Sequence, residues 1–328
     1  MPLRRNILVF HSGGLGDFVL SWPLGLALGR LHPQSRIIYI TQHSKGELAS
    51  RVMGLEWLDA ESGWSALYND GGKLDDRFLR TLQGAQFIYS FLATPGDDWC
   101  RRVREIAPET EIVCLRTPPP DDYPGHVSEH LLAQLTEHSA VRPAVEQILT
   151  SISKQGLGWR RPVNGAILVH PGSGGRDKNI RLDIFGRVIE ELVRNARSVR
   201  VLLGEVELER FSDSEIQHLE AKSTVVKPAR YVDLFNEIVQ SAAFIGNDSG
   251  PAHLAGIYGV PTAALFRTTL ARRWKPLGPR VAAIEVSEDC EDENLEDRAD
   301  VIVKGMQQVE TLPEPARVIR GAVATDES

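Results

Sequence analysis

The sequence is poor in cysteine and has no long apolar run. Its three cysteines, Cys100, Cys114 and Cys290, follow neither the spacing of a metal site nor an even-numbered disulfide framework, which is typical of a reducing cytoplasm. No segment approaches the ~18 unbroken apolar residues that a membrane span needs. The short apolar stretch after Arg4 and Arg5 is also too brief for the core of a signal peptide, so we expect none.

The chain also lacks an excess of positive charge. Its formal net charge is −7, so we expect no binding to nucleic acid that is driven by overall charge. Apolar residues make up 42% and charged residues 25% of the chain, as in ordinary globular proteins. The 328 residues exceed the ~100–200 of a usual domain, and Pro and Gly cluster near 140–163. We therefore predict two domains, residues 1–155 and 156–328.

Residues 243–266 carry the clearest local pattern. Apolar residues at both ends predict strands, residues 246–250 form a polar turn, and a short helix from about Pro251 ends at Gly259. In such a strand–turn–helix–strand unit, the free N–H groups of the helix N-terminus, with about half a positive charge, face the crevice beyond the strand. A phosphate-bearing ligand would bind there.

This turn also has a simpler explanation. Most units of this kind bind nothing, and Asp248 could simply cap its helix. Against that reading, four residues of types common in binding sites follow one strand end closely: Asp248, Ser249, Gly250 and His253. Their number at one place favours a binding site.

The chain opens with a similar unit. A strand over 6–10 is followed by a glycine-rich turn and a helix that reaches about His32. Pro23 lies inside this helix, so the helix either kinks there or begins near Ser21. The glycines do not follow the G-x-G-x-x-G spacing, and no acidic residue ends the next strand, over 36–41, to hold a ribose. The pattern therefore argues against NAD binding.

Asp17 directly follows this first glycine turn. A carboxylate at a strand end can face the crevice, where it could accept a proton as a general base. An acid at a helix N-terminus is equally well explained by its effect on the helix, which it stabilises by ~0.3–1 kcal/mol without any function. Position alone leaves both readings open.

The second half begins with a strand at 166–170, which ends in another glycine turn, over 171–175, followed by cations. Lys178 is placed to neutralise a phosphate, although a solvated surface lysine is the commoner fate of this residue type. After the next strand, over 199–203, an acid of the segment 204–207, which holds Glu205 and Glu207, could bind ribose hydroxyls or be only an acid at a helix N-terminus.

The remaining segments are less distinct. His126, His130 and His138 could suggest a metal face, but a metal site needs further ligands, and a solvated helix face is the simpler reading. The Pro-rich segment 117–125 is predicted as a loop, and the acidic run 285–297 as a solvated segment. The other predicted strands and helices cover residues 86–92, 98–106, 111–115, 126–135, 183–194, 231–241, 281–286 and 294–309.

Three stretches together resemble one family. Residues 6–40 are similar to the opening strand, Gly-Asp turn and helix of the ADP-heptose:lipopolysaccharide heptosyltransferases, glycosyltransferase family nine. Residues 167–185 are similar to its central phosphate-binding stretch, and residues 245–266 to its Asp-Ser/Thr-Gly-x-x-His pattern. The likeness covers most of the chain but is poor over 60–130. It implies an α/β fold of two facing Rossmann-like domains (GT-B), with parallel sheets and helices on both faces.

The resemblance implies an inverting transferase that moves heptose from ADP-heptose onto a lipopolysaccharide-core or related glycan or glycolipid acceptor. Asp17 would deprotonate the acceptor hydroxyl, beside an N-terminal acceptor-side loop of Ser12, Gly13, Gly14 and Gly16. The implied donor-binding residues of the C-terminal domain are Ser173, Gly174, Lys178, Glu207, Asp248, Ser249, Gly250 and His253. No Asp-x-Asp triplet occurs, so we expect no essential metal; the ADP-sugar is a substrate, so we also expect no cofactor. The implied location is the cytoplasm, with peripheral contact at the inner membrane left open.

Two segments depart from the family pattern. The usual Lys-Arg-Trp-Pro is Lys178 to Arg181 here, and the usual Phe-Gly-Pro-Thr-Asp-Pro is residues 266–271, with Arg267 added and an acid missing at Leu270. The second departure falls near the implied donor sugar. Two other function classes stay open: a catalytically silent nucleotide-sugar-binding module of an envelope-assembly complex, and an epimerase on the same scaffold. Binding of ADP without turnover would identify the first, and a product from the donor alone the second.

Overall fold

A computed structural model describes residues 6–67, 74–286 and 295–313. Cys290, most of the acidic run and the predicted start of the last helix at Asn294 lie outside these residues. The described chain forms two α/β units, each built on one parallel sheet. The strands of the first sheet are β1 (Asn6–Phe10), β2 (Arg36–Thr41), β3 (Glu56–Asp59), β4 (Ala85–Ser90) and β5 (Glu111–Cys114). The strands of the second sheet are β6 (Ile167–His170), β7 (Val199–Leu202), β8 (Thr224–Val226), β9 (Ala243–Asn247), β10 (Thr262–Phe266) and β11 (Val281–Glu285).

Helices connect the strands within each unit. Those of the first unit are α1 (Leu15–Leu31), α2 (His43–Met53), α3 (Asp76–Gln83), α4 (Asp98–Ile106), α5 (Val127–Gln134) and α6 (Val141–Gln155). Those of the second unit are α7 (Leu182–Arg194), α8 (Glu205–Arg210), α9 (Asp213–Glu220), α10 (Tyr231–Val239), α11 (Gly250–Tyr258), α12 (Ala271–Trp274) and α13 (Leu295–Glu310). Among the described residues, no helix combines the length and apolar character that crossing a membrane requires.

The first five strands of each unit follow the same order in their sheets, and the second sheet has β11 as an additional edge strand. The first is β3-β2-β1-β4-β5 and the second is β11-β10-β9-β6-β7-β8, with parallel pairing in both. In each sheet the direction of winding reverses beside the first strand, between β1 and β4 and between β6 and β9. In open parallel sheets, ligands bind beyond the carboxyl ends of the strands at such a reversal. The order therefore places the turns after β1, β6 and β9 at positions suited to a ligand.

The structure corrects the expectation for the first helix. α1 begins at Leu15, directly after Gly14, and continues through Pro23 to Leu31, so a start near Ser21 is wrong. Most of the helix is buried, including Pro23 itself. We infer that this burial offsets the hydrogen bond that proline cannot donate, because tertiary packing supplies most of the stability of helices in proteins.

Several elements had no clear sequence signal. The edge strands β3 and β8 are only four and three residues long and are incompletely buried, so neither shows a strong apolar run. The helices α2, α3, α6, α8, α9 and α12 were likewise not predicted. Much of the segment 140–163, where Pro and Gly suggested the linker between the domains, forms α6, because Pro143 lies in the first helical turn, where proline is tolerated. Cys100 and Cys114, separated in sequence, are both free, and their sulfur atoms lie 3.7 Å apart.

One hydrophobic cluster extends across both units. It joins buried residues of α1 and α6, such as Trp22 and Ile148, to residues of β9 and α11, such as Phe244 and Ile257. After α6, the chain is hydrogen-bonded to the end of α11: the backbone N–H of Leu157 donates to the Ile257 carbonyl oxygen at 3.0 Å. These contacts hold the two units together where α1 and α11 meet.

Candidate active site

The helices α1 and α11 meet at their N-termini, where the two units face each other. A Cβ atom at Gly250 would lie 2.7 Å from the Cβ atom of Leu15, which is closer than real side chains approach. A Cβ atom at Gly16 would lie 3.2 Å from Cδ2 of His253. Glycine at these two positions lets the helix ends come close. The junction therefore brings the turn of Asp17 beside the turn of Gly250 and His253.

Asp17 lies in the first turn of α1 and is half-buried at this junction. Burial raises the pKa of Asp17 above its usual range. The groups that oppose this rise are His253, Lys178, the backbone N–H of Gly14 and Lys45. The carboxylate thus belongs to the helix N-terminus, as the capping explanation expected, but Lys178 and His253 of the second unit also act on it. Both sequence-based readings of Asp17 describe part of its surroundings.

Lys178 and Asp248 form an ion pair that links two turns of the second unit. The Lys178 Nζ lies 2.9 Å from Oδ2 of Asp248 and 5.9 Å from the centre of the Trp274 ring. The hydroxyl of Thr269 donates to the same Asp248 oxygen at 2.8 Å. His253 Nε2 lies 3.6 Å from the other oxygen, Oδ1. These specific partners replace the simpler readings of Lys178 as a solvated lysine and of Asp248 as a helix cap.

The partners of Asp248 set its protonation state. Burial alone would raise the pKa of Asp248, but contacts with His253 and Lys178 more than offset this effect and lower the pKa to about 2. Asp248 is therefore ionised near neutral pH. Because a carboxylate repels phosphate and has no proton to donate, we infer that Asp248 positions Lys178 instead of touching a phosphate. An ammonium has three donors, so Lys178 can bind both Asp248 and an anionic ligand.

The glycine turn after β6 is fixed by hydrogen bonds of its own. The Ser173 side chain is buried, and its hydroxyl lies 2.7 Å from the Gly175 carbonyl oxygen and 2.6 Å from Oδ1 of Asn179. Arg210 of α8 donates to the carbonyl oxygens of Ser173 and Gly174 at 3.0 and 3.2 Å. Ser173 therefore shapes the turn with its hydroxyl, while Gly174 is exposed beside a cavity.

That cavity has a volume of about 380 Å³ and lies between the two units. Its size falls at the small end of the range of small-molecule pockets, roughly 300–1,000 Å³. From the first unit, Leu15 and Ser44 contribute to its wall. The predicted donor-binding residues that line it are Ser173, Gly174, Glu207, Ser249 and Gly250.

Glu207 is buried at the edge of this cavity. Its Oε2 accepts a hydrogen bond from the backbone N–H of Gly204 at 2.9 Å and lies 3.5 Å from Nε2 of His170. Burial acts to raise the pKa of Glu207, but the contacts with His170 and the Gly204 N–H lower it below its usual range. Glu207 thus anchors the start of α8, as the simpler reading expected, and also faces the cavity.

The N-terminus of α11 borders the same cavity. Ser249 immediately precedes the helix, and its Oγ lies 3.4 Å from Nδ1 of His170. Within the described part of the chain, no side chain caps this helix end. Because Pro251 has no N–H, the donors of this first turn that an anion could use are the N–H groups of Gly250 and Ala252.

The segment after β10 folds back onto the turn that carries Lys178. The Nη1 atom of Arg267 lies 3.3 Å from the Asp177 carbonyl oxygen and 3.2 Å from that of Asn179. Leu270, where the family pattern has an acid, is 45% exposed. The departures from the family pattern thus change the surface that flanks Lys178 and leave the ion pair with Asp248 in place.

The three histidines noted in the sequence have separate partners. The Nε2 atom of His126 lies 2.8 Å from the carbonyl oxygen of Lys275, across the junction. His130 packs against a tyrosine ring, with ring centres 5.0 Å apart, and Nδ1 of His138 lies 3.6 Å from Glu111. Across residues 6–67, 74–286 and 295–313, no cluster of three or more His, Cys, Asp or Glu side chains is arranged to hold a metal ion.

Sequence reasoning missed four residues that complete the site: Lys45, His170, Arg210 and Thr269. Lys45, His170 and Thr269 lie at the carboxyl end of a strand or within four residues beyond it. A search for polar residues after every predicted strand, beyond the glycine turns alone, would have found them. Arg210, at the end of α8, had no comparable signal.

Comparisons with known proteins agree with this arrangement. The family model for glycosyltransferase family 9 (heptosyltransferase) matches residues 121–300. A protein of Haemophilus influenzae, described in provisional terms as a glycosyltransferase, is 30% identical, covering 83% of this chain and 86% of that protein.

Solved structures show the same fold. The glycosyl transferase family 9 structure from Veillonella parvula has a TM-score of 0.66 at 16% identity and covers 94% of this chain and 98% of its own. The E. coli ADP-heptose lps heptosyltransferase II has a TM-score of 0.65 at 16% identity and covers 93% of this chain and 99% of its own. The expected pair of parallel-sheet α/β domains in a GT-B arrangement is confirmed. Together with the family match and the relative that is 30% identical, this shows that the chain belongs to glycosyltransferase family 9, the heptosyltransferase family.

Proposed function

We propose that this chain is an inverting glycosyltransferase that transfers heptose from ADP-heptose to a hydroxyl of a lipopolysaccharide-core or related glycan. One observation carries the proposal. Asp17, a carboxylate with a raised pKa, lies at a junction where Lys178 and the uncapped N-terminus of α11 supply positive charge from the other unit. Sugar transfer needs both parts, a base for the acceptor hydroxyl and a cationic site for the departing diphosphate.

The relatives and the cavity support the choice of donor. The E. coli neighbour carries ADP-heptose and lipopolysaccharide in its name. In this chain, the apolar side chains of Leu202, Val206 and Leu234 contribute to the wall of the cavity and could pack against a nucleobase. Glu207 offers a carboxylate to ribose hydroxyls, and Gly250 lies at the helix end where the diphosphate would bind.

The proposed reaction assigns a separate task to each unit. Asp17 accepts the proton of the acceptor hydroxyl while that oxygen bonds to the anomeric carbon. The bond from this carbon to the ADP oxygen breaks on the opposite face, ADP leaves with the electron pair, and the anomeric centre is inverted. Lys178 and the first-turn N–H groups of α11 stabilise the charge that develops on the diphosphate. Since this charge grows in the transition state, these contacts raise the rate as well as the affinity.

The proposed scheme requires no metal ion and no cofactor. The positive charge that a metal would give the diphosphate comes here from Lys178 and the N-terminus of α11. The acceptor is a glycan or glycolipid, and we place the reaction in the cytoplasm, where a lipid-linked acceptor would bring the protein to the inner membrane surface.

The first test is thermal unfolding in the presence of ADP, UDP, GDP or NAD. A nucleotide at about 100 times its Kd stabilises the folded state by roughly 2.7 kcal/mol, a shift of a few degrees. We expect stabilisation by ADP alone, and its loss in Lys178→Ala. The matched control is Lys222→Ala, because Lys222 pairs with Glu190 on α7 and should leave the ADP response intact. A preference for UDP or GDP would exclude ADP-heptose, and a response to NAD alone would contradict the transferase.

The second test is product analysis with ADP-heptose, with and without a lipopolysaccharide-core oligosaccharide. A glycosylated core with an inverted linkage is the expected product. A new nucleotide-sugar formed from the donor alone would identify an epimerase. Binding of ADP without turnover on any donor and acceptor would identify a silent binding module.

A further inference from the structure

Lys45 is a buried cation beside the turn that presents Asp17. It is 4% exposed, and its Nζ donates to the carbonyl oxygen of Gly13 at 2.5 Å. Burial lowers the pKa of Lys45, and the charge of the Asp17 carboxylate opposes that change. Buried lysines are uncommon unless they are paired, so this one requires an explanation.

The position of Lys45 is fixed by the way α2 packs. Gly46, the next residue, lies so close to β3 that a Cβ atom there would lie 2.3 Å from ring atoms of Trp57. This close packing holds the first turn of α2 against β3. Lys45 therefore reaches the Gly13 carbonyl from a rigid support, and the contact is not that of a mobile surface side chain.

Gly13 connects Lys45 to Asp17. A Cβ atom at Gly13 would lie 3.1 Å from Cβ and 3.3 Å from Oδ2 of Asp17, so the carboxylate rests directly against this residue. The charge of Lys45 also reaches His11 on the other side of the turn. Burial lowers the pKa of His11 to about 3, and Lys45 contributes to that change. The ammonium thus acts on both titratable groups that flank the glycine turn.

The charged groups around Asp17 come from three elements, and only one belongs to the same unit. His253 lies on α11 and Lys178 on the turn after β6, and both also contact Asp248. The charge of these two groups is therefore shared with a second carboxylate. Lys45, on α2, belongs to the unit of Asp17, and the carboxylate that acts on its pKa is Asp17.

We propose that Lys45 is a positioning residue: it anchors the glycine turn through the Gly13 carbonyl and supplies, from within the first unit, a positive charge that keeps the Asp17 carboxylate ionised. The inference deepens the proposed function, because it rests on Asp17 as the base. Lys45 acts through Asp17 and is not assigned a contact with substrate.

The experiment is a direct titration of Asp17 that needs neither donor nor acceptor. The protein is labelled with [4-13C]aspartate, and the Asp17 carboxyl signal is the one that disappears in Asp17→Asn. We expect its midpoint to rise in Lys45→Met and in Lys45→Gln, because removing an opposite charge near a carboxylate raises its pKa. The rise should be smaller than in Lys178→Met, since Lys178 acts more strongly than Lys45 on the pKa of Asp17. In Lys45→Arg, which keeps the charge, the midpoint should stay near that of the natural protein.

The three variants of Lys45 distinguish the effect of its charge from the effect of its hydrogen bond and from a loss of folding. Lys45→Gln keeps a donor for Gly13 without the charge, so it also decides the question if Lys45→Met fails to fold. Lys222→Met is the matched control and should not move the Asp17 midpoint. An unchanged midpoint in the Gln variant, or an equal shift in the control, would overturn the role of the charge.

Activity then distinguishes the two proposals. If the transferase reaction is found, the acidic limb of kcat/KM should move to higher pH in Lys45→Gln, by the same amount as the Asp17 midpoint. Full turnover in Asp17→Asn would remove Asp17 from the proposed mechanism and leave the electrostatic link between Lys45 and Asp17 standing. A large loss in Asp17→Asn with no shift in the Lys45 variants would overturn only the present inference.

Discussion

Asp17 and Asp248 are two carboxylates that lie beside helix N-termini in different units and have opposite protonation behaviour. Burial raises the pKa of Asp17 above its usual range, whereas the pKa of Asp248 falls to about 2. Burial acts to raise the pKa of both carboxylates, so burial alone does not explain the difference. The same two groups, His253 and Lys178, act on both carboxylates.

The pKa values of the two carboxylates differ because only Asp248 is in direct contact with these two groups. His253 and Lys178 contact the Asp248 carboxylate directly, at 3.6 and 2.9 Å, whereas they affect Asp17 through charge alone. Asp248 is therefore held as a permanent anion that orients a cation, and Asp17 keeps the affinity for protons that a base requires. Two acids whose surroundings separate their pKa values can serve two roles in one site.

The largest expected effect comes from removing the base. We predict that Asp17→Asn lowers kcat by about 10²–10⁴-fold, the usual contribution of a general base. We expect ADP to bind with unchanged affinity, because the residues proposed to hold ADP belong to the second unit. Steady-state kinetics and ADP titration check both parts. Equal kcat in the variant would exclude Asp17 as the base and so remove the role that separates it from Asp248.

The second prediction concerns the stability that Asp248 contributes. Its folded-state pKa is depressed, so its ionised form stabilises the fold above about pH 4 and this contribution is lost as the pH falls towards 2. From the size of the shift we expect Asp248→Asn to lower the free energy of unfolding at pH 7 by about 2 kcal/mol. Urea unfolding at pH 7 and pH 3 should show a smaller difference at the lower pH.

The control for this change is Asp98→Asn, because Asp98 is 74% exposed and pairs only with Arg101 at the surface in the described structure. A surface pair of this kind is worth ~0–1 kcal/mol. Equal destabilisation by the two variants at every pH would show that the partners of Asp248 do not stabilise it.

The third prediction is a pH profile for transfer. Because the pKa of Asp17 is raised and the base must be ionised to act, kcat/KM should fall about tenfold per pH unit below that pKa. Far-ultraviolet circular dichroism at each pH would show that the protein stays folded. A profile that is flat down to the acid unfolding region would place the essential base elsewhere.

The smallest effect is expected at Thr269. Thr269→Val removes one donor from the buried Asp248 oxygen, and we predict a loss of about 1 kcal/mol in the free energy of unfolding at pH 7. Thr268→Val is the matched neighbour, since the Thr268 hydroxyl is exposed and lies 3.5 Å from Asp177. A loss as large in Thr268→Val would argue against a specific role for the Thr269 hydrogen bond.

The sequence predicted best where one local signal decides the structure. Residues 243–266 form the expected strand, turn, helix and strand, because continuous apolar runs mark buried parallel strands and Gly259 ends α11 with a φ of 102°. The strand order could not be read from such signals. It brings Lys178 to Asp248, 70 residues away in the chain, and no local pattern encodes that pairing.

The roles of individual polar side chains were the least predictable. Ser173 looked like a phosphate ligand, yet its hydroxyl is hydrogen-bonded within its own turn. Lys45 lies after a strand with no glycine turn, so nothing local distinguished it from a surface lysine. Its burial depends on the packing of α2 against β3, and β3 itself had no clear signal. The residues of the turns that form the site were thus easier to predict than Lys45, which holds one of these turns in place from another element.

The hydrophobic cluster shared by the two units has a consequence for synthesis on the ribosome. The inner face of α1, with Phe18 and Trp22, is completed by residues of α11 and β10 that are made more than a hundred positions later. At ~5–20 residues per second, the first half waits roughly 5 to 20 s before those residues emerge. During this interval its apolar face is open to chaperones and to other nascent chains. The junction that forms the site is thus also a part of the core that the first unit cannot close before the second unit is made.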